Sequence, residues 1–230
     1  MEKVLFLMAI FCVVVREVHV AYAVDKKRKE YIQKHQLKKF SPSLIYRLLK
    51  RITDIIIALV VCLSILPILY VVLGFIIKIT SKGPIIYKQQ RRGLFGKCFT
   101  CYKFRSMYQN SGMKKVESSD DARITPIGRF IRKTHLDEFP QFFNVLKGDM
   151  SVVGPRPLPD REIQKFDGYI AGYERLLVRP GITGLTQVKS GRLMNVEEFL
   201  CYDAEYVSKP SLIRDIMLIF QTLKFNDIAY

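Results

Sequence analysis

The sequence predicts a mixed α/β (α+β) fold in which a re-entrant membrane helix hairpin leads into one compact domain. An apolar run without charges covers residues 55–77, strand and turn patterns follow in 83–107, and helical periodicity prevails beyond residue 127. A chain of 230 residues is long enough for one such domain and a membrane segment, and too short for two large independent domains.

The charge distribution places basic residues on both sides of the apolar run. The formal net charge is +16, and ten Lys or Arg residues fall in each of the ranges 26–51 and 78–115, whereas no Asp or Glu occurs between Asp54 and Glu117. Anionic lipids attract each Lys or Arg close to a membrane surface by about 1 kcal/mol. The pattern therefore favours a membrane surface over nucleic acid, and no nucleic-acid partner is expected.

The five cysteines are an odd number in apolar and mixed surroundings, which argues against a disulfide framework and favours a reducing compartment. Cys98 and Cys101 have the spacing of a metal or redox pair. No second pair or His cluster in the sequence supplies the remaining ligands of a structural zinc site, so a functional role for this pair is not favoured.

Residues 4–15 form a second apolar run, which Ala21-Tyr22-Ala23 follows in the manner of a secretory signal peptide. This run is too short to span a bilayer, and cleavage there would send the following basic segment outside, against the positive-inside tendency. The sequence favours a membrane-dipping or partly buried helix. A cleaved signal and the remnant of a longer membrane region are the alternatives for residues 1–24.

The apolar run at 55–77 is long enough to span a bilayer, at about 34 Å as one continuous helix. Ser64 and Pro67 interrupt it near its middle, and Pro67 removes an amide donor and disfavours helical geometry at the residue before it. A straight crossing would leave one basic flank on the wrong side, whereas a re-entrant hairpin broken at Ser64 and Pro67 keeps both flanks on one face. We expect Ser64 to bond a freed carbonyl group. An ordinary kinked transmembrane helix is the alternative.

Beyond the hairpin, short strands are predicted first and helices afterwards. The amphipathic pattern at 212–223 suits a helix that lies at a membrane interface or packs on a core. The predicted elements are strands at 84–87 and 99–104 with a turn at 92–96, helices at 127–148, 162–177, 196–207 and 212–223, an irregular proline-rich segment at 154–159, and a turn at 179–184.

Asp137 and Glu138 are the candidate catalytic residues. A proline is tolerated in the first turn of a helix, so Pro140 places Asp137 at or next to a helix N-terminus, where anions are stabilised. Neighbouring helical residues diverge by about 100°, so one carboxylate can attack while the other orients a metal or handles a proton. The helix is expected to bury its apolar side chains, Phe139, Phe142, Phe143 and Leu146.

A carboxylate that attacks a phosphorus atom gives an acyl phosphate, which a second acceptor then discharges. A divalent ion would offset the charge of a diphosphate. Mg²⁺ favours oxygen ligands, and Asp137 and Glu138 are its candidate ligands here. The plain alternative is that the two carboxylates only cap the helix.

Basic residues accompany the carboxylates in several separate motifs. Arg156 stands between two prolines, which fix its backbone and reduce the entropy lost when it binds a phosphate. Each of these cations, taken alone, fits a solvated surface charge equally well. The candidate ligands of phosphate or nucleotide are Lys103, Arg105, Arg132, Arg156 and Arg179.

Eight motifs occur in one order between residues 50 and 222. They are KRITD at 50–54, RG at 92–93 with Gly96, YKFRSM at 102–107, RITPIG at 123–128, LDEFPQ at 136–141, NVLKGDMS at 144–151, VGPRP at 153–157 and RPGITG at 179–184. Together they resemble the monotopic phosphoglycosyl transferases, the bacterial sugar transferase family that begins glycan assembly on polyprenyl phosphate.

The resemblance implies a membrane-dipping hairpin and a compact cytosolic α/β catalytic domain, which rests on the inner leaflet of the bacterial cytoplasmic membrane and depends on Mg²⁺. It implies that Asp137 attacks the phosphorus next to the sugar of a UDP-sugar and releases UMP. Polyprenyl (undecaprenyl) phosphate then attacks the sugar-phosphoryl aspartate, Glu138 assists through the metal or a proton, and the five cations contact phosphates or nucleotide. The implied units are an apolar segment and basic linker at 1–49, the hairpin at 50–82 and the catalytic domain at 83–230.

The sequence departs from the family pattern at the hairpin break, where Ser64-Ile65-Leu66-Pro67 replaces a contiguous Ser-Pro, and at 185–187, where an aromatic residue is replaced. Two other functions stay open: a metal-dependent membrane glycosyltransferase that releases UDP, and a non-enzymatic basic scaffold on a membrane surface. The released nucleotide separates the two enzymes, and the scaffold predicts that Asp137→Asn leaves function intact. The sugar, the downstream glycan and the oligomeric state are not determined by the sequence.

Overall fold

A computed structural model of the protein describes residues 2–37, 40, 42–109, 121–166, 169–189 and 195–224. It has the mixed helix and strand composition that the sequence predicts. The helices are α1 (Glu2–Lys34), α2 (Leu44–Leu63), α3 (Ile65–Thr80), α4 (Pro126–Lys133), α5 (Gln141–Lys147), α6 (Asp160–Ile163), α7 (Ile170–Glu174), α8 (Leu185–Lys189), α9 (Val196–Ser208) and α10 (Leu212–Lys224). The strands are β1 (Ile86–Arg92), β2 (Cys98–Phe104), β3 (Ser151–Val153) and β4 (Gly181–Thr183).

Helices α2 and α3 form a bent pair, with a bend of 46° between them. The break lies at Ser64, whose backbone amide and Oγ both donate to the Val60 carbonyl oxygen, at 3.0 and 2.5 Å. Pro67 lies in the first turn of α3, where its missing amide costs no hydrogen bond. The kink therefore precedes the position expected from Pro67, and Ser64 bonds the carbonyl of Val60 instead of the one that Pro67 frees.

Within the described residues, no individual helix has the length and apolar character needed to cross a membrane, and only α2 and α3 taken together as a bent pair do. Their outward face is strongly apolar, with Ile45, Leu63, Val71, Phe75 and Ile79 each between 67 and 78 % exposed. The inward face of α2 is partly charged, because its buried residues include Arg51 and Asp54.

Two small sheets carry the strands. Strands β1 and β2 form an antiparallel hairpin in which Ile86 pairs with Phe104 and Arg92 with Cys98, as the sequence predicts apart from the strand ends. Its turn contains Phe95 in the left-handed region, at φ 56°. Strands β3 and β4 are parallel, which places a short strand inside the segment 179–184 that was predicted as a turn.

The predicted helix at 127–148 is wrong as a single element. Helix α4 ends at Lys133 with Thr134 as its C-cap, His135 adopts φ 55°, and a 3₁₀ turn at Leu136–Glu138 precedes α5. A left-handed residue breaks the helix, and Pro140 cannot donate the bond that would continue it, so α5 starts after Pro140. The register of α5 also differs from the prediction, because Phe143 is 52 % exposed. Its fully buried side chains are those of Asn144 and Val145.

Other predicted helices are confirmed or divided. Helices α9 and α10 match the predictions at 196–207 and 212–223 closely. The predicted helix at 162–177 consists of α6 and α7 with a 3₁₀ turn after each. The apolar run at 4–15 belongs to α1, which continues to Lys34.

The main core packs α2, α5, β3, α8 and α10 around buried apolar side chains, among them Ala58, Val145, Met150, Val153 and Leu218. A smaller core of Leu73, Ile77, Phe104 and Ile131 joins α3, β2 and α4. The strand β2 and the turn at Leu136–Glu138 meet between these two cores, and this is where the charged residues of the candidate site lie.

Candidate active site

The 3₁₀ turn after His135 presents the two candidate carboxylates. Asp137 and Glu138 are both buried, each with 8 % of its surface exposed. Asp137 was predicted at or next to a helix N-terminus, and it lies in a separate 3₁₀ turn just before Pro140, the N-cap of α5. Neither carboxylate caps this helix, which was the plain alternative. A helix cap is normally solvated, whereas burial of two adjacent carboxylates requires partners to compensate them.

Two basic side chains provide that compensation. Lys103, on β2, places Nζ 2.6 Å from Glu138 Oε1 and 3.7 Å from Asp137 Oδ2. Arg156, in the loop after β3, places Nη2 3.0 Å from the same Glu138 oxygen. Glu138 is thus held by two cations at hydrogen-bonding distance, and Asp137 by one at a longer distance.

The two carboxylates differ accordingly in acidity. Burial raises the pKa of Asp137 above its usual value, and the neighbouring charge of Glu138 raises it further, against the opposing effect of Lys103, Arg132 and Arg156. Burial also opposes ionisation of Glu138, but the charges of Arg156 and Lys103 outweigh it and hold the pKa of Glu138 well below its ordinary value. Asp137 is therefore the less compensated carboxylate of the pair.

A side chain that bonds to the backbone of β2 and a close contact at a glycine hold the elements that carry these side chains in place. Asn144 of α5 accepts a hydrogen bond from the Tyr102 amide at 3.1 Å and donates to the Thr100 carbonyl at 2.7 Å, which ties β2 to the helix beside the carboxylates. Gly154 lies so close to the backbone of Gly181 that a Cβ atom added to Gly154 would be 2.9 Å from the Gly181 backbone nitrogen. The glycine therefore allows the loop that carries Arg156 to lie against β4.

Arg175 is a residue that the sequence reading missed. Its Nε donates to Asp203 Oδ2 at 2.8 Å and its Nη2 to the Arg156 carbonyl at 2.6 Å. Its Cζ lies 5.5 and 5.4 Å from the ring centroids of Phe166 and Phe199. This buried guanidinium fixes the backbone from which Arg156 extends. The proline on each side of Arg156 was visible in the sequence, but the long-range contact was not.

Arg91 is the second missed residue. It lines a small cavity together with Lys103, Glu138 and Arg156. Its guanidinium donates to Gln89 Oε1 at 2.7 Å and to the Pro157 carbonyl. Burial lowers the pKa of Arg91, and the nearby charge of Arg156 lowers it further. A cluster of cations that repel one another favours an anionic ligand.

The remaining cations predicted from the sequence lie in different places. Arg132 lies near enough to lower the pKa of Asp137 and so belongs to the cluster. Arg105 instead donates to the carbonyls of Lys82, Ser81 and Ile77 at the C-terminal end of α3. The structure therefore places Arg105 as a helix cap of the bent pair, apart from the cluster.

Arg179 also lies away from the carboxylates. Its Nε donates to the Gly148 carbonyl at 2.8 Å, beyond the C-terminal end of α5, and burial lowers its pKa together with the charge of Arg51. The carboxylates lie before the N-terminal end of the same helix. Arg179 therefore serves a different part of the molecule from the Asp137 cluster.

The donor set suits a divalent ion that is shared with a substrate. The described residues contain no group of three or more His, Cys, Asp or Glu side chains that could hold a metal alone. Mg²⁺ in phosphate-handling sites is commonly held by one or two carboxylates and by the phosphates themselves. The undercompensated, buried carboxylate of Asp137 beside Glu138 fits this arrangement.

This fold and this site define a class of protein: a mixed α/β domain in which a buried carboxylate pair lies among cations, an arrangement suited to group transfer at phosphorus. The chain belongs to the bacterial sugar transferase family, whose model matches residues 45–226. The family resemblance carried by the sequence motifs is thereby confirmed.

Similar proteins give more detail. The chain is 38 % identical over 201 residues to the UDP-N-acetylgalactosamine-undecaprenyl-phosphate N-acetylgalactosaminephosphotransferase of Aeromonas hydrophila, covering 85 % of this chain and 47 % of that protein. It is 41 % identical over 196 residues to the undecaprenyl-phosphate galactose phosphotransferase of Salmonella typhimurium, covering 77 % of this chain and 40 % of that protein. The chain thus spans less than half the length of these relatives.

A third relative is shorter. The exopolysaccharide production protein ExoY of Sinorhizobium fredii is 33 % identical over 191 residues, which cover 76 % of this chain and 83 % of that protein. All three aligned stretches are about the size of the segment that the family model matches.

Proposed function

We propose that the protein transfers a sugar 1-phosphate from a UDP-sugar to polyprenyl (undecaprenyl) phosphate, giving a polyprenyl-diphosphate-sugar and UMP and initiating the assembly of a surface glycan or exopolysaccharide. Membership of the bacterial sugar transferase family supports the reaction class. The names of the relatives in Aeromonas hydrophila and Salmonella typhimurium support undecaprenyl phosphate as the acceptor, and the former supports a UDP-sugar as the donor.

The observation that carries the mechanism is the unequal compensation of the two carboxylates. Glu138 accepts hydrogen bonds from both Lys103 and Arg156, so it is held in place and is a poor nucleophile. Among the described residues, one cation forms an ion pair with Asp137, at 3.7 Å, and the pKa of Asp137 is raised, which gives its ionised form greater basicity. Asp137 is therefore the nucleophile in our proposal, and Glu138 orients the cations.

The covalent steps follow from that assignment. An Asp137 carboxylate oxygen attacks the phosphorus attached to the sugar, and the bond from this phosphorus to the bridging oxygen of the diphosphate breaks. UMP leaves with the electron pair, and a sugar-phosphoryl aspartate remains. A phosphate oxygen of the polyprenyl phosphate then attacks the same phosphorus, which releases the Asp137 carboxylate and forms the new diphosphate.

Lys103, Arg91 and Arg156 line the small cavity beside Glu138, and the charge of Arg132 lowers the pKa of Asp137. Fixed cations in a buried site stabilise developing charge more strongly than the same cations in water. Mg²⁺, held by Asp137, Glu138 and the substrate phosphates, would supply further charge compensation for the diphosphate. Arg105 and Arg179 have other contacts and are not needed for this role.

The proposed location is the cytoplasmic face of the bacterial inner membrane. The outward faces of α2 and α3 are apolar and exposed, and Ile213, Met217 and Phe220 on α10 are each between 57 and 67 % exposed. In water such faces are unfavourable, whereas against a lipid surface they are stabilised. The bent pair enters the membrane as a re-entrant hairpin and leaves the basic flanks on one side.

The experiment is an assay of the released nucleotide. The purified protein is incubated with polyprenyl phosphate, Mg²⁺ and each of UDP-galactose, UDP-glucose and UDP-N-acetylgalactosamine, and the nucleotides are separated. UMP in a molar amount equal to the lipid product supports the proposal. UDP without UMP supports the alternative glycosyltransferase, and Asp137→Asn with unchanged function supports the scaffold.

A further inference from the structure

A second charged region lies away from the carboxylates, in a cleft between α1, α2 and the domain. One face of α1 contributes to it at intervals of three to four residues. Its walls are partly apolar and partly basic. The basic lining residues are Arg28, Arg47, Lys50, Arg51 and Arg179.

The carboxylates around the cleft do not neutralise these cations one by one. Arg28 and Arg47 share Asp25, at 3.0 and 3.3 Å. Arg51 lies 3.5 Å from Glu17, and Lys50 pairs with both Asp54 and Asp215, at 3.4 and 3.2 Å, so four carboxylates stand against five cations. No ion pair among the described residues involves Arg179, whose Nε donates to a backbone carbonyl instead. The cleft therefore carries more positive charge than its own acids compensate.

A buried donor without a hydrogen bond and lowered arginine pKa values also indicate that the cleft can accept an anion. The buried Nε atom of Arg47 has no hydrogen-bond partner among the described residues, and the Nε atom of Arg51 has only the 3.5 Å ion pair with Glu17. Burial lowers the pKa of Arg28 to about 10, with a further contribution from Arg47, and the pKa of Arg179 is also lowered. Buried cations that face one another are stabilised by an anion placed between them.

The apolar half of the cleft limits the kind of anion. Val20, Val24, Phe40, Leu48, Val178 and Val207 line it. On the other side of α2, Ile45 and Ile56 are 71 and 56 % exposed. An apolar chain attached to the anion can therefore pack against the apolar wall of the cleft or along the exposed face of α2. A free inorganic ion has no apolar surface to bury there, so its binding is not strengthened.

The cleft is separate from the Asp137 cluster. The residues that line it include none of those that line the small cavity beside Glu138. Arg51 donates to the carbonyls of Val145 and Leu146 at 2.7 and 3.1 Å, at the C-terminal end of α5, whereas Asp137 precedes the N-terminal end. One length of α5, about 10 Å, thus separates the two regions.

We infer that the α1–α2 cleft binds the phosphate headgroup of an amphiphile, with Arg47, Arg51 and Arg179 as its ligands and the apolar wall beside its chain. The amphiphile is a membrane phospholipid or a polyprenyl phosphate, which share this chemistry. Occupancy would neutralise the surplus charge and join α1 to the domain.

The test measures binding by the full chain in a nonionic detergent. The probes are dioctanoyl phosphatidic acid, dioctanoylglycerol, which lacks the phosphate, inorganic phosphate, which lacks the chain, and farnesyl phosphate. At ten times Kd, phosphatidic acid is expected to raise Tm by about 3–5 °C. The inference requires that dioctanoylglycerol and inorganic phosphate each bind at least about tenfold more weakly.

The variant Arg47→Gln/Arg179→Gln removes two cleft cations and is expected to weaken binding of phosphatidic acid about tenfold or more. Lys27→Gln/Lys29→Gln makes the same charge change at exposed positions of α1 and is expected to retain the parental Kd. Equal binding by the cleft variant and the parent would overturn the inference. So would inorganic phosphate binding as tightly as the lipid.

A second variant keeps all charges. Val24→Phe fills part of the cleft and is expected to weaken lipid binding about fivefold or more. This variant keeps the inference testable if the double variant does not fold. Unchanged binding by Val24→Phe would contradict it. Farnesyl phosphate binding that is tight in the parent and lost in both cleft variants would identify polyprenyl phosphate as the source, and the same pattern for phosphatidic acid alone would identify phospholipid.

Discussion

Near the N-terminal end of α5, two carboxylates are buried against cations, and one of the two, Asp137, forms a single ion pair within the described part of the chain, at 3.7 Å. At the C-terminal end, the cleft lined by Arg28, Arg51 and Arg179 has the opposite imbalance, with more basic than acidic side chains. Both regions are built from the same residue types, near opposite ends of the same helix. What differs is which sign of charge lacks a partner.

The difference indicates what each region can do. A buried carboxylate without a full complement of partners has a raised pKa and retains basicity, which a nucleophile needs. A surplus of buried cations cannot act as a nucleophile but is stabilised by a bound anion. Incomplete pairing therefore separates the proposed catalytic role of one region from the proposed binding role of the other.

The largest effect is expected from Asp137→Asn, which should lower kcat/KM by about 10³-fold or more because the nucleophile is lost. The same change should raise Tm by about 1–3 °C. The folded-state pKa of Asp137 is raised, so at neutral pH its charged form costs stability that Asn removes. Asp160→Asn, at an exposed ion pair, is the matched control for both measurements. A fall in Tm together with retained turnover would contradict the account.

Glu138→Gln should lower kcat by about 10²-fold, because Lys103 and Arg156 lose the carboxylate that orients them. Its effect on stability should have the opposite sign. The folded-state pKa of Glu138 is lowered, so its ionised form stabilises the fold above the unfolded pKa, and loss of a buried ion pair should lower Tm by about 5 °C or more. Equal Tm shifts for Glu138→Gln and Asp137→Asn would remove the distinction between the two carboxylates.

Arg175→Lys should lower kcat about tenfold, since a single ammonium group cannot reach both Asp203 and the Arg156 carbonyl in the geometry of a guanidinium. Because Arg175 acts through Arg156, the loss should be smaller in an Arg156→Lys background than in the parent. Full additivity of the two changes would show that Arg175 stabilises the fold without positioning Arg156.

The smallest effect concerns pH. Activity requires ionised Asp137, whose raised pKa places the acid limb of the kcat/KM profile above the usual range of an Asp. Arg132 lowers this pKa, so Arg132→Gln should move the acid limb to higher pH. Activity at about pH 5.5 should fall by a larger factor than activity at about pH 8. A uniform loss across the profile would indicate that Arg132 does not act on Asp137.

Local sequence patterns predicted much of the fold. The β1–β2 hairpin, helices α9 and α10, and the break of the apolar run near Ser64 follow from turn chemistry, periodicity and proline placement. The split between α4 and α5 was missed because His135 adopts a left-handed conformation, which no local signal in that segment announces. Short helical patterns do not show such a break.

The candidate site was predicted only in part, because sequence motifs identify residues but do not show which of them the fold brings together. Motif order singled out Asp137, Glu138, Lys103 and Arg156, which the fold brings together. Arg105 lies in the same motif as Lys103, two residues further along, where strand alternation would put both on one face. It lies just beyond the end of β2, however, and donates to the carbonyls of Ile77, Ser81 and Lys82. Sequence alone gave no means of separating a phosphate ligand from a helix cap, because both use a guanidinium.

The roles of Arg175 and Arg91 depend on contacts across long sequence separations. Arg175 bonds residues 19 and 28 positions away, and Arg91 bonds a carbonyl 66 positions away. Hydrophobic periodicity and spacing report only on neighbours along the chain. Such residues become visible as positioning groups only when the fold is known.

The central claim, that Asp137 carries the sugar phosphate between donor and acceptor, is tested most directly by isotope exchange. Radiolabelled UMP is incubated with the protein, Mg²⁺ and the UDP-sugar that supports turnover, in the absence of polyprenyl phosphate. The account predicts that label enters the UDP-sugar without acceptor and that Asp137→Asn abolishes this exchange. Turnover with acceptor but no exchange in its absence would contradict a covalent aspartyl intermediate.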